Sequence, residues 1–154
     1  MRKLFLVRHG ESKASEYPGG DAFRQLTDLG IRQIEQLADV LKTQIENIPE
    51  IICSDAVRAV TTASIIAKKW DMEPKLESEI YYGGTVHYEK AVNNHSTNDN
   101  LILVGHNPDI SLFSSGISGS DVRFLPGTCV KILLDSGTEP IKGRLLQVWH
   151  PEKN

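Results

Sequence analysis

Leu4-Phe5-Leu6-Val7-Arg8-His9-Gly10 is a short apolar run that stops at a cation, an imidazole and a glycine. Leu101-Ile102-Leu103-Val104-Gly105-His106-Asn107-Pro108 closes a second run in the same way. Apolar runs of this length, bounded by turn residues, read as buried strands. If the two strands lie parallel in one sheet, both histidines emerge at its carboxyl edge, where open α/β sheets place their ligand crevices. A third run, Glu50 to Cys53, leads into Ser54-Asp55-Ala56-Val57-Arg58 and brings Arg58 toward the same edge.

The intervening segments read as helices and turns. From Thr27, an expected N-cap, Ile34, Leu37, Ala38, Leu41 and Ile45 recur at helical spacing, with Arg32, Glu35, Gln36, Asp39 and Lys42 on the other face. Pro49 ends that pattern. Ser54 is expected to cap a second helix whose buried stripe is Ala56, Val60, Ala63, Ile66, Ala67 and Trp70. Pro74 to Glu79 has room for a short strand, Tyr81 to Gly84 for a loop, and Thr85 to Asn94 for a helix with few apolar anchors. Asn98-Asp99-Asn100 reads as a turn, and Asn107 as an N-cap with Pro108 at the first helical position of a helix ending near Ser115. Gly116 to Ser120 is flexible in composition. Cys129 to Leu134 and Arg144 to Trp149 are the final strands, a hairpin across Asp135-Ser136-Gly137. This order implies an α/β fold, a three-layer sandwich in which a mostly parallel sheet carries helices on both faces, as a single domain over residues 1–154.

Composition narrows the function classes. A chain of 154 residues, 40% hydrophobic and 24% charged, is long enough to bury one core without staples. A formal net charge of -3 gives no reason to expect nucleic acid or an anionic membrane as partner. The apolar stretches are too short to span a bilayer and no signal peptide is expected, so a cytoplasmic location follows by default. Cys53 and Cys129 lie inside strand-like runs without metal-type spacing and read as core residues.

Arg8, His9, Arg58 and His106 would together form an anion cage. Guanidinium forks match phosphate oxygens in pairs, and the helices after Ser54 and Asn107 would add backbone donors and a positive dipole, so a tetrahedral oxyanion is the expected guest. Neighbouring positive charges disfavour the protonated form of an imidazole, which makes His9 the candidate nucleophile. Because the two arginines supply the electrostatic work that a divalent ion supplies elsewhere, neither a metal nor a cofactor is expected.

Leu6-Val7-Arg8-His9-Gly10-Glu11-Ser12 resembles the signature of the histidine phosphatase superfamily, with the phosphoglycerate-mutase-like fold. Leu26-Thr27-Asp28-Leu29-Gly30 is similar to that family's helix start, Ser54 to Ala63 to its S-x-x-x-R-A-x-x-T-A segment, and Val104 to Pro108 to its V-G-H-N-P form. The resemblance implies a mechanism in which His9 is transiently phosphorylated and Arg8 and Arg58 clamp the phosphoryl oxygens. It also implies that His106 donates a further hydrogen bond, with Asn107 at the phosphate site, and that water then releases inorganic phosphate. Within the family, the short chain resembles the bacterial phosphohistidine phosphatases of the SixA type, which implies a histidine phosphotransfer domain as the phosphorylated partner. A phosphomonoesterase for a small phosphate ester is the alternative, and a catalytically silent phosphate-binding module is a third reading from another class.

The departures concern the rim. Ser15 stands where the family often has a phosphate-contacting asparagine. Glu77 and Glu79 occupy the region of the proton-donating glutamate of family members acting on sugar or glycerate phosphates, and solvated carboxylates are the plainer expectation for both. An alkoxide is too basic to depart unprotonated, whereas an imidazole protonated at its other nitrogen leaves as a neutral ring. Ser12, Lys13 and Arg24 could touch phosphate or protein from the first loop, with ordinary solvated loop residues the plainer expectation, and Tyr81 and Tyr82 could line the substrate rim or equally form a simple turn. His87, His95 and His150 are expected at the surface.

Overall fold

The structure, a computed structural model, describes residues 2–14, 19–95 and 99–152. Strands β1 (Lys3–Arg8), β2 (Glu50–Cys53), β3 (Lys75–Leu76), β4 (Asn100–Gly105), β5 (Cys129–Leu134) and β6 (Gly143–Trp149) form one sheet in the order β3-β2-β4-β1-β5-β6. β1, β2, β3 and β4 are mutually parallel. β5 pairs antiparallel with both β1 and β6, so it alone runs against the rest. The expected three-layer α/β architecture is the observed one.

Strand alternation builds the layers. Phe5, Val7, Ile51, Cys53, Ile102, Val104 and Cys129 face α1 (Asp28–Gln44) and α2 (Val57–Ala67). Leu4, Leu6, Ile52, Leu101, Leu103, Val130 and Ile132 face α4 (Thr85–Asn94) and α5 (Asp109–Ser118), together with Ile80 of the short α3 (Glu79–Tyr82). The central strands are apolar on both faces because both are covered, which is why they read as continuous runs. Each fully buried Leu, Ile or Val contributes about 1.5–3 kcal/mol, and that burial holds the strand ends rigid. Both cysteines lie in the core, unpaired.

Several element boundaries differ from expectation. Thr27 does cap α1, its hydroxyl accepting from the Gly30 N–H at 3.0 Å. Ser54 does not cap α2: the capping position is Ala56, and Ser54 Oγ accepts the Ala56 N–H at 3.1 Å in the turn before it. Asn107 does not cap α5 either, because Pro108 takes that position while the Asn107 side chain bonds to Phe124 and Ser111. α5 continues past Ser115 to Ser118 because Ile117 is buried, and it stops at Gly119, whose φ of 72° is the left-handed conformation glycine tolerates. The strand expected at Pro74 to Glu79 shrinks to Lys75–Leu76, and Tyr81 and Tyr82 are helical instead of turn residues. In the turn Asn98-Asp99-Asn100, Asn98 lies outside the described residues.

Candidate active site

At the carboxyl ends of β1 and β4 the chain is locked together by backbone. His9 N–H donates to the Gly105 carbonyl at 3.3 Å, and Gly10 N–H donates to Thr62 Oγ1 at 3.1 Å. The Thr62 hydroxyl donates in turn to the Arg58 carbonyl at 2.8 Å, tying the first turn of α2 to the loop after β1. Gly10 is required because an added Cβ would lie 2.9 Å from both the Gly30 carbonyl and Ile34 Cγ1. Gly105 is required because a Cβ would collide with the Tyr88 hydroxyl, which accepts the His106 N–H at 3.0 Å.

The two imidazoles meet with ring centroids 5.2 Å apart. His9 Nδ1–H donates to the Gly10 carbonyl at 2.8 Å, since a carbonyl only accepts. Nε2 therefore carries the lone pair, and it accepts from Arg58 Nε at 3.3 Å. His106 is held through the opposite nitrogen. Ser54 Oγ, which accepts from the Ala56 N–H, is hydrogen-bonded to His106 Nε2 at 2.7 Å, so Nδ1 is the nitrogen left for other partners. That Nδ1 is buried and has no partner among the described residues.

Cations surround the rings. Arg8 Nη1 donates to the Phe124 carbonyl at 2.8 Å, while its buried Nε has no partner among the described residues. Arg58 is 6% exposed and donates from Nη1 to the Asp21 carbonyl at 2.8 Å and from Nη2 to Asp21 Oδ2 at 3.0 Å. An open cavity of about 230 Å³ is lined by Arg8, His9, Glu11, Ser12, Arg24, Arg58, His106, Asn107 and Pro126. Burial first, and then His106, Arg58 and Arg8, push the His9 pKa down to about 3 against the Gly10 carbonyl, which favours the proton. Burial and then Arg58 lower His106 to about 4, against the opposing pull of Asp21. Both rings are consequently neutral at physiological pH. The arrangement sets two neutral imidazoles beside guanidiniums, a setting suited to an oxyanion guest.

The structure brings Arg8, His9, Arg58, His106 and Asn107 to one wall, as the sequence led us to expect. It does not bring Glu77 or Glu79 there. Glu79 pairs with His87 at 3.2 Å and Lys90 at 3.6 Å, and Glu77 faces His95 at 3.6 Å, all around a separate depression or its margin. The expectation of a surface His95 also fails: its ring is mostly buried, with Nδ1 2.7 Å from Glu50 Oε2. Ser15 lies outside the described residues.

Glu11, Ser12, Arg24 and Pro126 also line the cavity, and Tyr81 and Asp21 lie beside it. Arg24, expected to be solvated, lines the cavity and donates to Ser12 Oγ at 2.8 Å and the Lys13 carbonyl at 2.7 Å. Tyr81 lies edge-on to His106 at 5.5 Å and donates to Asp21 Oδ2 at 2.6 Å. Asp21 was missed altogether. It is held well below the usual carboxylate range, first by the Tyr81 hydrogen bond and then by Arg24 and Arg58. The one available signal was its spacing three residues before Arg24. Among the described residues no group of three or more His, Cys, Asp or Glu is placed to hold a metal ion, and no helix is long and apolar enough to cross a membrane.

The chain is similar to several known proteins. Probable phosphoglycerate mutase GpmB of Proteus mirabilis (strain HI4320) is 39% identical over 70 residues, covering 44% of this chain and 32% of that protein. The corresponding protein of Photorhabdus laumondii is 39% identical over 82 residues, covering 52% and 37%. The matched stretch thus spans about a third of the length of these curated relatives. In fold, the chain is similar to the putative phosphohistidine phosphatase SixA from Agrobacterium tumefaciens, with a TM-score of 0.82 at 19% identity over 97% of this chain and 99% of that one. It is also similar to a mycobacterial glucosyl-3-phosphoglycerate phosphatase, with a TM-score of 0.75 at 16% identity over 99% and 100%. The sequence model of the histidine phosphatase superfamily (branch 1) matches residues 4–84, more than half of the chain and the part that carries His9 and Arg58, and the protein belongs to that superfamily.

Proposed function

We propose that this protein is a metal-independent phosphatase that works through a phosphohistidine intermediate on His9 and removes phosphate from phosphohistidine in a signalling protein such as a histidine phosphotransfer domain. The observation that carries the reading is the tautomer of His9, with Nδ1–H fixed on the Gly10 carbonyl and the lone pair on Nε2, where Arg58 Nε holds it at the cavity wall until phosphorus displaces that long hydrogen bond. Nε2 attacks phosphorus as the P–N bond of the substrate breaks, and the departing imidazole, already protonated at its other nitrogen, leaves as a neutral ring. The phosphorylated His9 ring is then cationic, and the Gly10 carbonyl stabilises the Nδ1 proton it retains. Water attacks phosphorus in the second step, His9 returns to the same neutral tautomer, and the water proton leaves with inorganic phosphate. Arg8, Arg58 and the free Nδ1–H of His106 face the equatorial oxygens in both steps, where charge accumulates. Asn107 borders the same oxygens.

A phosphohistidine donor suits a site in which Glu77 and Glu79 point elsewhere, since its leaving group needs no strong acid. One observation favours a second reading, hydrolysis of a small phosphate ester: Glu11, whose Oε1 accepts from Thr27 Oγ1 at 2.9 Å, is a carboxyl group on the cavity wall and the candidate proton donor for an alkoxide. Rapid-quench trapping separates the readings. With a phosphohistidine peptide as donor, wild-type protein is expected to carry acid-labile, base-stable phosphate that His9→Asn lacks. Turnover without such a species would end the mechanism. A strong preference for sugar or glycerate phosphates over the peptide would select the ester reading, and phosphate binding with no turnover on either would select a silent binding module. Activity retained in a chelator is expected; its loss would reject metal independence.

A further inference from the structure

Asp21 presents three acceptors to two cations of the cavity wall. Its Oδ1 takes Arg24 Nη1 at 3.0 Å, its Oδ2 takes Arg58 Nη2 at 3.0 Å, and its backbone carbonyl takes Arg58 Nη1 at 2.8 Å. Tyr81 adds a 2.6 Å hydrogen bond to Oδ2, so Oδ2 is doubly engaged. Each guanidinium is also anchored on its far side, Arg24 through Nε to the Lys13 carbonyl and Nη2 to Ser12 Oγ, and Arg58 through Nε to His9 Nε2. Yet Asp21 does not line the cavity, whereas Arg24 and Arg58 do.

Two observations separate this carboxylate from an ordinary surface ion pair. The short turn that carries it, Asp21–Phe23, buries none of its residues, and the Asp21 side chain is 46% exposed, so the fold gains little from it. Arg58, by contrast, is almost wholly buried and bonds to the proposed nucleophile. Without a shared counter-ion, Arg24 and Arg58 would repel each other across the wall, and the Arg58 side chain would keep its Nε contact to His9 and its place 5.9 Å over the Tyr81 ring but no anionic partner among the described residues.

We infer that Asp21 is a positioning residue, an anion set behind the wall that holds Arg24 and Arg58 at fixed spacing, so that both guanidiniums meet the spread equatorial oxygens of a transferring phosphoryl group better than they meet resting phosphate. Tyr81 fixes the Asp21 carboxylate in turn. The inference rests on the cavity being the phosphoryl site, and it makes a charge-paradoxical prediction. Neutralising Asp21 makes the wall more cationic, so a purely electrostatic role predicts tighter anion binding. A positioning role predicts weaker binding of the transition-state mimic.

The experiment measures orthovanadate and inorganic phosphate affinity by calorimetry, with kcat, KM and thermal unfolding, on wild type, D21N, D21A, D21E, R24A and the D21A/R24A double variant. Vanadate affinity and kcat are expected to fall about 10- to 100-fold in D21A and D21N, with KM and phosphate affinity changing a few-fold and Tm barely moving. D21E, which keeps the charge, is expected to recover part of the loss. The D21A and R24A effects are expected to be less than additive, since one acts through the other. Unchanged or tighter vanadate binding in D21A and D21N, full additivity with R24A, or a large fall in Tm would each overturn the inference. Because vanadate binding is read without turnover, wild type that binds vanadate but cleaves no phosphate compound would refute the proposed function and leave this test intact; wild type that binds neither anion would refute both.

Discussion

His9 and His106 stand at equivalent ends of adjacent parallel strands, after sequences of the same design, yet their environments assign opposite nitrogens. His9 is gripped at Nδ1 by a backbone carbonyl, which leaves the lone pair on Nε2, where Arg58 Nε donates to it. His106 is engaged at Nε2 by the Ser54 hydroxyl, and in the proposed mechanism that hydroxyl donates and leaves Nδ1–H to meet the phosphoryl oxygens. A strand end delivers an imidazole to the right edge; the partner of the far nitrogen decides whether the near one attacks or donates. The chemistry of each ring is set by its neighbours, and His106 takes its neighbour from the end of β2.

Substituting the two histidines separately should break the symmetry most. His9→Asn is expected to remove the phosphoenzyme and lower kcat by about 1,000-fold or more, while His106→Asn still forms the intermediate with kcat about 100-fold down. Single-turnover quench experiments read both, and equal phosphoenzyme yields would merge the two roles. Next in size, Ser54→Ala should free the His106 tautomer and cost about 10-fold in kcat with little change in KM. An unaltered kcat would mean that the hydroxyl does not set the proton.

Stability sharpens the comparison further. Both rings have folded pKa values below that of an unfolded histidine, so the unfolded chain binds more protons as pH falls. The stability is therefore fully present above about pH 6.5 and is lost progressively toward pH 4 for His106 and pH 3 for His9. Between pH 7 and 5.5 each ring should cost about 1 kcal/mol, and denaturant titrations of His9→Asn or His106→Asn should show that much less pH dependence. A slope unchanged by either substitution would place the protonation elsewhere. Gly105→Ala should destabilise by about 1–3 kcal/mol through its collision with Tyr88, as measured by urea unfolding. A smaller effect would show that Tyr88 yields.

The strand ends and the meeting of Arg8, His9, Arg58 and His106 on one cavity were legible in the sequence because buried parallel strands leave an unmixed apolar signal and their last residues must project at one edge. Asp21 was not legible. It lies in a turn without apolar periodicity, and its partners Arg58 and Tyr81 come from distant segments. Arg24 was weighed as solvated for the same reason. Ser54 and Asn107 were assigned to helix ends because capping is a local rule; their hydroxyl and amide are instead committed to His106 and Phe124, contacts that only the assembled sheet creates. Glu77 and Glu79, for which solvated carboxylates were the plainer expectation, do lie away from the cavity, partly exposed.

The one reversed strand has a consequence for how such a chain diversifies. Because β5 enters the sheet where its neighbours leave it, the segment Phe124–Thr128 arrives at the phosphoryl edge from outside, and Gly127 N–H is shared between the Arg8 and His9 carbonyls. The crevice therefore has a border built from incoming chain that carries none of the proposed reacting groups. Lengthening the stretch between Gly119 and Phe124 would reshape what can approach the site while every pairing of β1 with β4 stays in register, so access and chemistry are separately adjustable in this architecture.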